Sequence, residues 1–324
     1  MDKTTAPSAS QTKGYLIALT GTALWSSTAI FIRYLTENNL LPPLVLAFWR
    51  EVFVSLAMLL VLALLRPRFL RLPRVHIPFF AAYGLVLMVF NATWTISVAL
   101  NGAAVATVLC YSSPAITALV AWRLWREPLG IRMIVAVTLS LLGCIVLSGA
   151  YSPAQWDLNP VGIVIGLASG LMYAGYSIFG KAASHRAINP WSTLTYTFAF
   201  ATVFLFLLLQ APLSHWAPAM QGVGGMRELF WLGSDRMGWG ILLILAVGPT
   251  IGGYGLYNVS LTYLPASVAN LIASMEPPLT AALAFVLLGE RMTGTQIIGS
   301  LMIILGVVLL RLGSSRSGDV SMSV

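Results

Sequence analysis

Ten apolar runs, each near the length of a bilayer crossing, dominate this sequence: roughly 14–35, 44–65, 75–97, 103–122, 131–149, 159–182, 190–211, 237–261, 267–288 and 294–312. A helix needs about 20 mostly apolar residues to cross the hydrocarbon core, so ten runs occupy about 200 positions and leave mostly short loops. Stretches such as Leu56–Leu65 and Ile297–Leu312 are apolar on every face. A membrane β-barrel would instead alternate polar and apolar residues in segments of about 10. Only 9% of the 324 residues are charged and 58% are hydrophobic, whereas a soluble domain carries about 25% charged residues to cover its surface. Two cysteines and abundant aliphatic side chains fit neither a disulfide scaffold nor a disordered chain. The fold class expected is an all-α polytopic membrane protein. Its net charge of +8 reads as basic residues gathered at the cytoplasmic face and anionic headgroups, not as a nucleic-acid surface.

Orientation follows from where those basic residues fall. With an even number of spans, 13 of the 18 Lys and Arg lie on the side of the N-terminus and 5 on the other. The positive-inside rule then places both termini in the cytoplasm of a plasma (inner) membrane protein. Residues 1–13 and 313–324 are polar tails. No small-residue cleavage site follows the first run, which is expected to stay as an uncleaved helix. Cys110 and Cys144 fall inside spans and read as small packing residues.

The chain repeats itself. A shift of 163 residues lays Ser97 on Ser260, Pro114 on Pro277, Glu127 on Glu290 and Leu142–Gly143 on Leu305–Gly306. A shift of 148 lays Gly14 on Gly162, Ile30–Phe31 on Ile178–Phe179 and Arg33 on Lys181. The difference of 15 matches a longer connection at 212–236 than at 66–74. The expected units are a first repeat at 14–149 and a second at 150–312 that carries the 212–236 insertion on the external side. Five spans per unit is an odd number, so the halves enter the membrane from opposite sides. Such five-plus-five inverted repeats belong to secondary transporters, whose halves rock about a site near the midplane.

At this point the sequence resembles the EamA family of the drug/metabolite transporter superfamily over nearly all of 14–312. The resemblance is carried by LPASVANLIASMEPPLTAALAFVLLGERMTGTQIIGSLMIILGVVLL from Leu264, by ALWSS at 23–27, AFWRE at 47–51 and SSPAITALVAWRLWREPLG at 112–130. It implies ten helices around a central cavity lined mainly by spans 1, 3, 4, 6, 8 and 9, and export of amino acids, other metabolites or toxic compounds.

Glu276 stands out among the candidate functional residues, because it lies about nine residues into span 9 in the motif SMEPP. A charge at that depth costs about 2.5–3.5 kcal/mol, so it must face a cavity, pair with a cation or hold a proton. As a functional group it binds a substrate ammonium or carries a coupling proton; as a structural one it hydrogen-bonds backbone freed by the following prolines. Pro277–Pro278 and, at the equivalent place in span 4, Pro114 remove amide donors in mid-helix. They are expected to open carbonyls toward a site and to act as hinges.

Mid-span Trp25, Trp94, Tyr111, Tyr173, Tyr176 and Tyr257 need partners for their N–H and O–H groups away from lipid. Asn91, Asn258 and Asn270 need the same for their amides. Together with Glu276 they form the expected substrate-binding set, an amphipathic pocket for an apolar or aromatic substrate. Arg50, beside Glu51 in span 2, is expected to snorkel to the external interface or to pair with a carboxylate across the halves, with substrate contact as the alternative, and Arg33 and Lys181 are expected as interface anchors. Gly162, Gly166 and Gly170 form a close-approach stripe that Gly248 and Gly252 repeat, and Met226–Gly233 is expected as a short amphipathic turn at the external interface.

No Walker loop, zinc spacing, dinucleotide fingerprint or Ser-His-Asp set is present in the sequence. No cofactor, metal or catalytic residue is therefore expected, and no enzymatic role. The expected partners are a small-molecule substrate and the lipid bilayer, without nucleic acid, for a chain acting as a monomer. The leading function is a secondary exporter of small metabolites, with hydrophobic or aromatic amino acids in view. The rivals are a carrier of nucleotide-derived or drug-like cations and a non-transporting membrane scaffold or sensor.

Overall fold

The computed structural model describes residues 9–152, 159–210, 226–289 and 291–314. Among these residues there are ten helical stretches long and apolar enough to cross a membrane and no strand. Spans 1 to 5 are Ser10–Asn38, Pro43–Leu65, Arg74–Val98, Leu100–Trp125 and Ile131–Ser148. Spans 6 to 10 are Pro160–His185, Pro190–Leu209, Arg236–Ser260, Ala266–Leu287 and Gly294–Leu312. Side chains such as Leu64 and Leu65, 72% and 70% exposed, make an outer surface that only lipid can cover without a large hydrophobic cost.

Local chemistry sets the ends of these helices. Proline opens spans 2, 6 and 7 at Pro43, Pro160 and Pro190, where its missing N–H has no partner to lose. Asn159, Asn189 and Asp235 cap the next turns by accepting from Val161, Trp191 and Met237 amides. Gly102, with φ 78°, turns the chain from span 3 into span 4, a backbone conformation that favours glycine.

Spans 1, 4, 8 and 9 are interrupted near their middles. Span 1 breaks at Ser27, between the helices Ala9–Ser26 and Thr28–Asn38. The hydroxyls of Thr22, Ser26 and Ser27 bond back to carbonyls three or four residues earlier, which weakens the helical ladder. Span 4 breaks at Tyr111–Ser112 and span 9 at Ser274–Met275. The prolines therefore sit otherwise than expected. Pro114 and Pro277 occupy the first turn of a new half-helix, so the amides they lack would have been unbonded there anyway, and the exposed backbone groups are the carbonyls of the preceding half-helix. In span 8, Pro249 lies in a π-helical segment, Ala246–Thr250, and the Thr250 hydroxyl satisfies the Leu245 carbonyl at 2.8 Å.

Contacts between the halves come in pairs related by the two shifts. A Cβ on Gly14 would meet Tyr263 Cβ at 2.7 Å and Leu264 Cγ at 2.8 Å; one on Gly162 would meet Leu100 Cβ at 2.8 Å and Asn101 Nδ2 at 2.5 Å. Spans 5 and 10 pack the same way: Gly143 lies against the Gly299 carbonyl and Gly306 against the Ala136 carbonyl, each 2.7 Å from the added Cβ. These reciprocal approaches are what an inverted repeat requires. The stripe Gly162, Gly166 and Gly170 packs on spans 3 and 4 as expected. Its supposed copy does not hold at Gly248, where an added Cβ has nothing within 4 Å, while Gly252 approaches Leu24.

One further expectation changes at a helix end. Lys181 is not an interface anchor: its Nζ donates to the carbonyls of Leu261 and Leu264 at 2.9 and 2.8 Å. Glu127 completes the same turn, accepting from the Ala266 amide at 2.9 Å and from the Ser267 hydroxyl at 2.5 Å. Most of the 212–236 insertion and Glu290 lie outside the described residues. The described part starts with the short helix Met226–Leu229. This segment packs onto span 2 and the span 1–2 connection, with Trp49 Nε1 donating to the Leu229 carbonyl and Trp231 Nε1 to that of Asn39.

Candidate functional site

The interrupted helices converge on the middle of the bundle, and Trp25 sits among them, two residues before the break of span 1. Its ring centroid lies 4.2 Å from that of Tyr254, 5.9 Å from Tyr173 and 6.3 Å from Tyr257. Tyr173 stacks on Phe90 at 5.0 Å and meets Tyr111 edge-on at 6.5 Å. Tyr176 joins through Tyr254 and Tyr83, at 5.3 and 5.0 Å. Such offset and edge-on aromatic pairs are worth about 0.5–1.5 kcal/mol each beyond area burial. In this structure the rings fill the centre against one another.

Glu276 opens the second half-helix of span 9, where a helix N-terminus favours a carboxylate. Tyr111, at the equivalent junction of span 4, donates its hydroxyl to Glu276 Oε2 at 2.5 Å and lies 3.5 Å from the Ala273 carbonyl. Pro277 cannot donate to that carbonyl, and the single Tyr111 proton goes to the much nearer carboxylate, so the hydroxyl lies beside the freed carbonyl and bonds Glu276. Glu276 is thus tied to Tyr111 across the two half-helix junctions.

Two polar networks flank the rings. In one, the Ser113 hydroxyl donates to Asn270 Oδ1 at 3.1 Å, Asn270 Nδ2 donates to Ser177 Oγ at 2.7 Å, and Ser177 pairs with the Tyr257 hydroxyl at 2.6 Å. It ties spans 4, 9, 6 and 8 together. In the other, Asn258 Nδ2 donates to the Tyr176 hydroxyl at 3.2 Å, and Tyr83 donates to Asn258 Oδ1 at 3.5 Å. A narrow recess lined by Gly180, Ser184, Thr193 and Thr262 reaches Asn258 from the side of the span 8–9 turn. The buried Tyr173 hydroxyl, beside Glu276, has no hydrogen-bond partner.

The structure thus brings together Trp25, Tyr111, Tyr173, Tyr176, Tyr257, Asn258, Asn270 and Glu276. Trp94 is half-buried against the core and joins none of these ring contacts among the described residues. Asn91 belongs to a different cluster, bridging the buried Arg50 and Glu51. Arg50 is buried and makes no direct ion pair among the described residues, which corrects its reading as an interface anchor. Cys110 and Cys144 are buried free thiols. Among the described residues no group of three His, Cys, Asp or Glu is placed to hold a metal ion.

Sequence reasoning missed Tyr254, Phe90, Tyr83, Ser113 and Ser177. Tyr254 was within reach, since it lies three residues before Tyr257 on the same helix face. Ser113 is the repeat equivalent of Glu276 under the 163-residue shift. Phe90 and Ser177 carry no such signal, because the rotation of spans 3 and 6 is set by packing.

Residues 12–149 and 160–312 match the sequence model of the EamA-like transporter family. An uncharacterized transporter of Synechocystis, sll1319, is 29% identical over 70% of this chain and 64% of its own length. The inner membrane transporter YicL of Salmonella typhimurium is 24% identical over 94% of this chain and 97% of its own. The threonine/homoserine exporter RhtA of Salmonella typhimurium is 27% identical over 76% of this chain and 75% of its own. The chain spans slightly under two thirds of the Synechocystis protein and of YwfM from Bacillus subtilis, 64% and 65%. A crystal structure 17% identical in sequence superposes with a TM-score of 0.75, covering 94% of this chain and 99% of that one; it shares the fold.

Proposed function

This chain belongs to the EamA-like transporter family, and we propose that it is a secondary exporter of small amine-bearing metabolites, with hydrophobic or aromatic amino acids as the preferred class. The observation that carries this reading is the Tyr111–Glu276 pair, set between two half-helix junctions and against the Trp25–Tyr173–Tyr254 rings. A carboxylate there meets an ammonium, the rings meet an apolar side chain, and the free Tyr173 hydroxyl offers a further polar contact. The half-helices beginning at Ser113 and Glu276 hinge at their junctions, so Pro114, Pro277 and Pro278 allow motion without tearing a continuous hydrogen-bond ladder. One chain carries the whole site and acts as a monomer. Both termini face the cytoplasm; an impermeant thiol reagent applied outside intact cells should leave a cysteine at Ser314 unlabelled.

Glu276→Gln keeps shape and most hydrogen bonds but removes ionisation. Transport in proteoliposomes should fall at least tenfold, about 1.4 kcal/mol in transition-state terms, with thermal stability near wild type. If the carboxylate also carries the coupling proton, wild-type transport varies with pH in a way that the Gln variant does not. Normal transport by the Gln variant with an unchanged pH profile would move the polar part of the site to Asn258 and Asn270.

A further inference from the structure

Span 2 buries a charged pair that does not close on itself. Arg50 is 8% exposed and Glu51 0%, and Asn91 of span 3 stands between them. Arg50 Nη2 donates to Asn91 Oδ1 at 3.2 Å, and Asn91 Nδ2 donates to Glu51 Oε1 at 2.6 Å. Arg50 Nε and Glu51 Oε2 are buried without a hydrogen-bond partner. A guanidinium carries five N–H donors and cannot shed its charge, so an unmatched edge held away from water is costly unless something comes to fill it.

The pair forms its own cluster next to the centre of the molecule. Arg50, Glu51 and Glu276 all lie within electrostatic reach of Tyr254, whose ring packs on Trp25, and Arg50 acts on Glu276 directly. Asn91, which holds Arg50 and Glu51, follows Phe90 in span 3, whose ring stacks on Tyr173 at 5.0 Å, so one guanidinium and two carboxyl groups border the aromatic rings. A free amine or a free acid entering this region changes the charge count there, and an unbalanced buried charge is penalised heavily. A zwitterion changes nothing in that count and offers each charge a partner.

We propose that Arg50 is the carboxylate-binding residue of the central site, so that the substrate is recognised as an α-amino acid. The unmatched Nε–H and its neighbouring guanidinium edge receive the α-carboxylate in the two-point geometry that suits arginine. The α-ammonium meets Glu276, and the side chain lies on Trp25 and Tyr254. Asn91 and Glu51 hold the guanidinium in place from behind. This inference rests on reading the centre as the substrate site, and it adds a reader of the acid group that discriminates amino acids from simple amines.

The test uses the full-length protein in proteoliposomes and compounds that differ by one group: phenylalanine beside phenethylamine and phenylpropionate, and threonine beside 1-amino-2-propanol. Wild-type protein should move at least one of the amino acids, and its amine or acid analogue at least tenfold more slowly. Arg50→Gln should abolish amino-acid transport while leaving phenethylamine movement unchanged or raised; Arg50→Lys should restore part of it, since it keeps the charge but loses the fork. The wild-type panel stands even if a variant fails to fold, which thermal unfolding in detergent reveals. Equal wild-type rates for phenylalanine and phenethylamine, or phenylalanine transport undiminished in a folded Arg50→Gln protein, would overturn the role of Arg50. Loss of that transport in Glu276→Gln would leave the central site standing in the same experiment. Failure to move any of these compounds, or movement indifferent to both residues, would sink the inference and the central-site reading together.

Discussion

The turn between spans 8 and 9 and the turn between spans 3 and 4 occupy equivalent places in the two halves, and they are held differently. At the first, Lys181 takes the Leu261 and Leu264 carbonyls of the turn itself and Glu127 takes the first amides after it. Each charge meets the helix end that attracts it. At the second, Asn101 exchanges neutral hydrogen bonds with the Asn159 backbone, at 3.3 and 3.1 Å. Arg33, the equivalent of Lys181, pairs with Glu37 one turn along its own helix, with side chains 51% and 62% exposed. Packing follows the same division. The second half-helix of span 4 lies against the first half-helix of span 9, whereas the reciprocal contact, span 4's first half on span 9's second, is not made to a comparable extent among the described residues. Among the described residues, two charged groups hold the first turn, whereas neutral hydrogen bonds and an exposed ion pair are seen at the second; Glu290, the repeat equivalent of Glu127, lies outside the described residues. For a carrier, the free-energy difference between its two ends decides which side opens at rest.

The largest effect should come from removing the two charged groups at the first turn. Hydrogen bonds to charged groups contribute about 1.5–3 kcal/mol each, and Glu127→Ala with Lys181→Ala removes several at once. A cysteine introduced at Ser184, on the recess beside Asn258, should then react with a membrane-impermeant thiol reagent at least tenfold faster from the side of the span 8–9 turn. Unchanged reactivity would mean that packing, not these charges, closes that end.

Much of this architecture was legible in the residue string, and the reasons are physical. Ten runs of bilayer length leave little freedom in fold class, and the reciprocal glycines Gly14/Gly162 and Gly143/Gly306 were already in register under the two shifts. Pro114 and Pro277 marked the junctions to within a few residues, although they begin half-helices instead of interrupting whole ones. Glu276 was conspicuous because a carboxylate in mid-membrane is expensive. What stayed hidden depends on tertiary contact. Glu127 meets residues 139 and 140 positions away, and nothing local marks it as a cap. Lys181 looked like an anchor because its sequence neighbours say nothing of the carbonyls it finds. Trp94 looked equivalent to Tyr257 by repeat position, yet the two halves are not in the same arrangement, so the equivalence did not carry it into the ring cluster.

An intermediate effect separates Thr280 from its repeat equivalent, Thr117. Thr280 Oγ1 donates at 3.0 Å to the Ser26 carbonyl at the break of span 1. Span 6, the counterpart of span 1, runs unbroken from Pro160 to His185, and the buried Thr117 Oγ1 has no hydrogen-bond partner. Thr280→Val should therefore destabilise the protein by about 1 kcal/mol through an unsatisfied carbonyl, while Thr117→Val should be neutral or stabilising. Thermal unfolding of the two variants in one detergent checks the difference, and equal losses would remove this asymmetry between the halves.

The smallest effect belongs to Arg33 and Glu37. Their side chains are 2.9 Å apart at i,i+4 spacing and more than half exposed. Pairs of that kind contribute about 0.3–0.5 kcal/mol, less with salt, because water screens the attraction and two long side chains lose freedom in forming it. Glu37→Gln should shift the unfolding midpoint barely beyond error at low salt and not at all at high salt, with transport unchanged. Lys181→Gln should be several times more costly in the same assay and nearly insensitive to salt, since that ammonium is partly buried and bonded to two carbonyls of another span. The ratio between the two variants compares the Lys181 contacts with the exposed Arg33–Glu37 pair. A Glu37→Gln cost as large as that of Lys181→Gln would show that the exposed pair also fastens its end, and the contrast between the two turns would disappear.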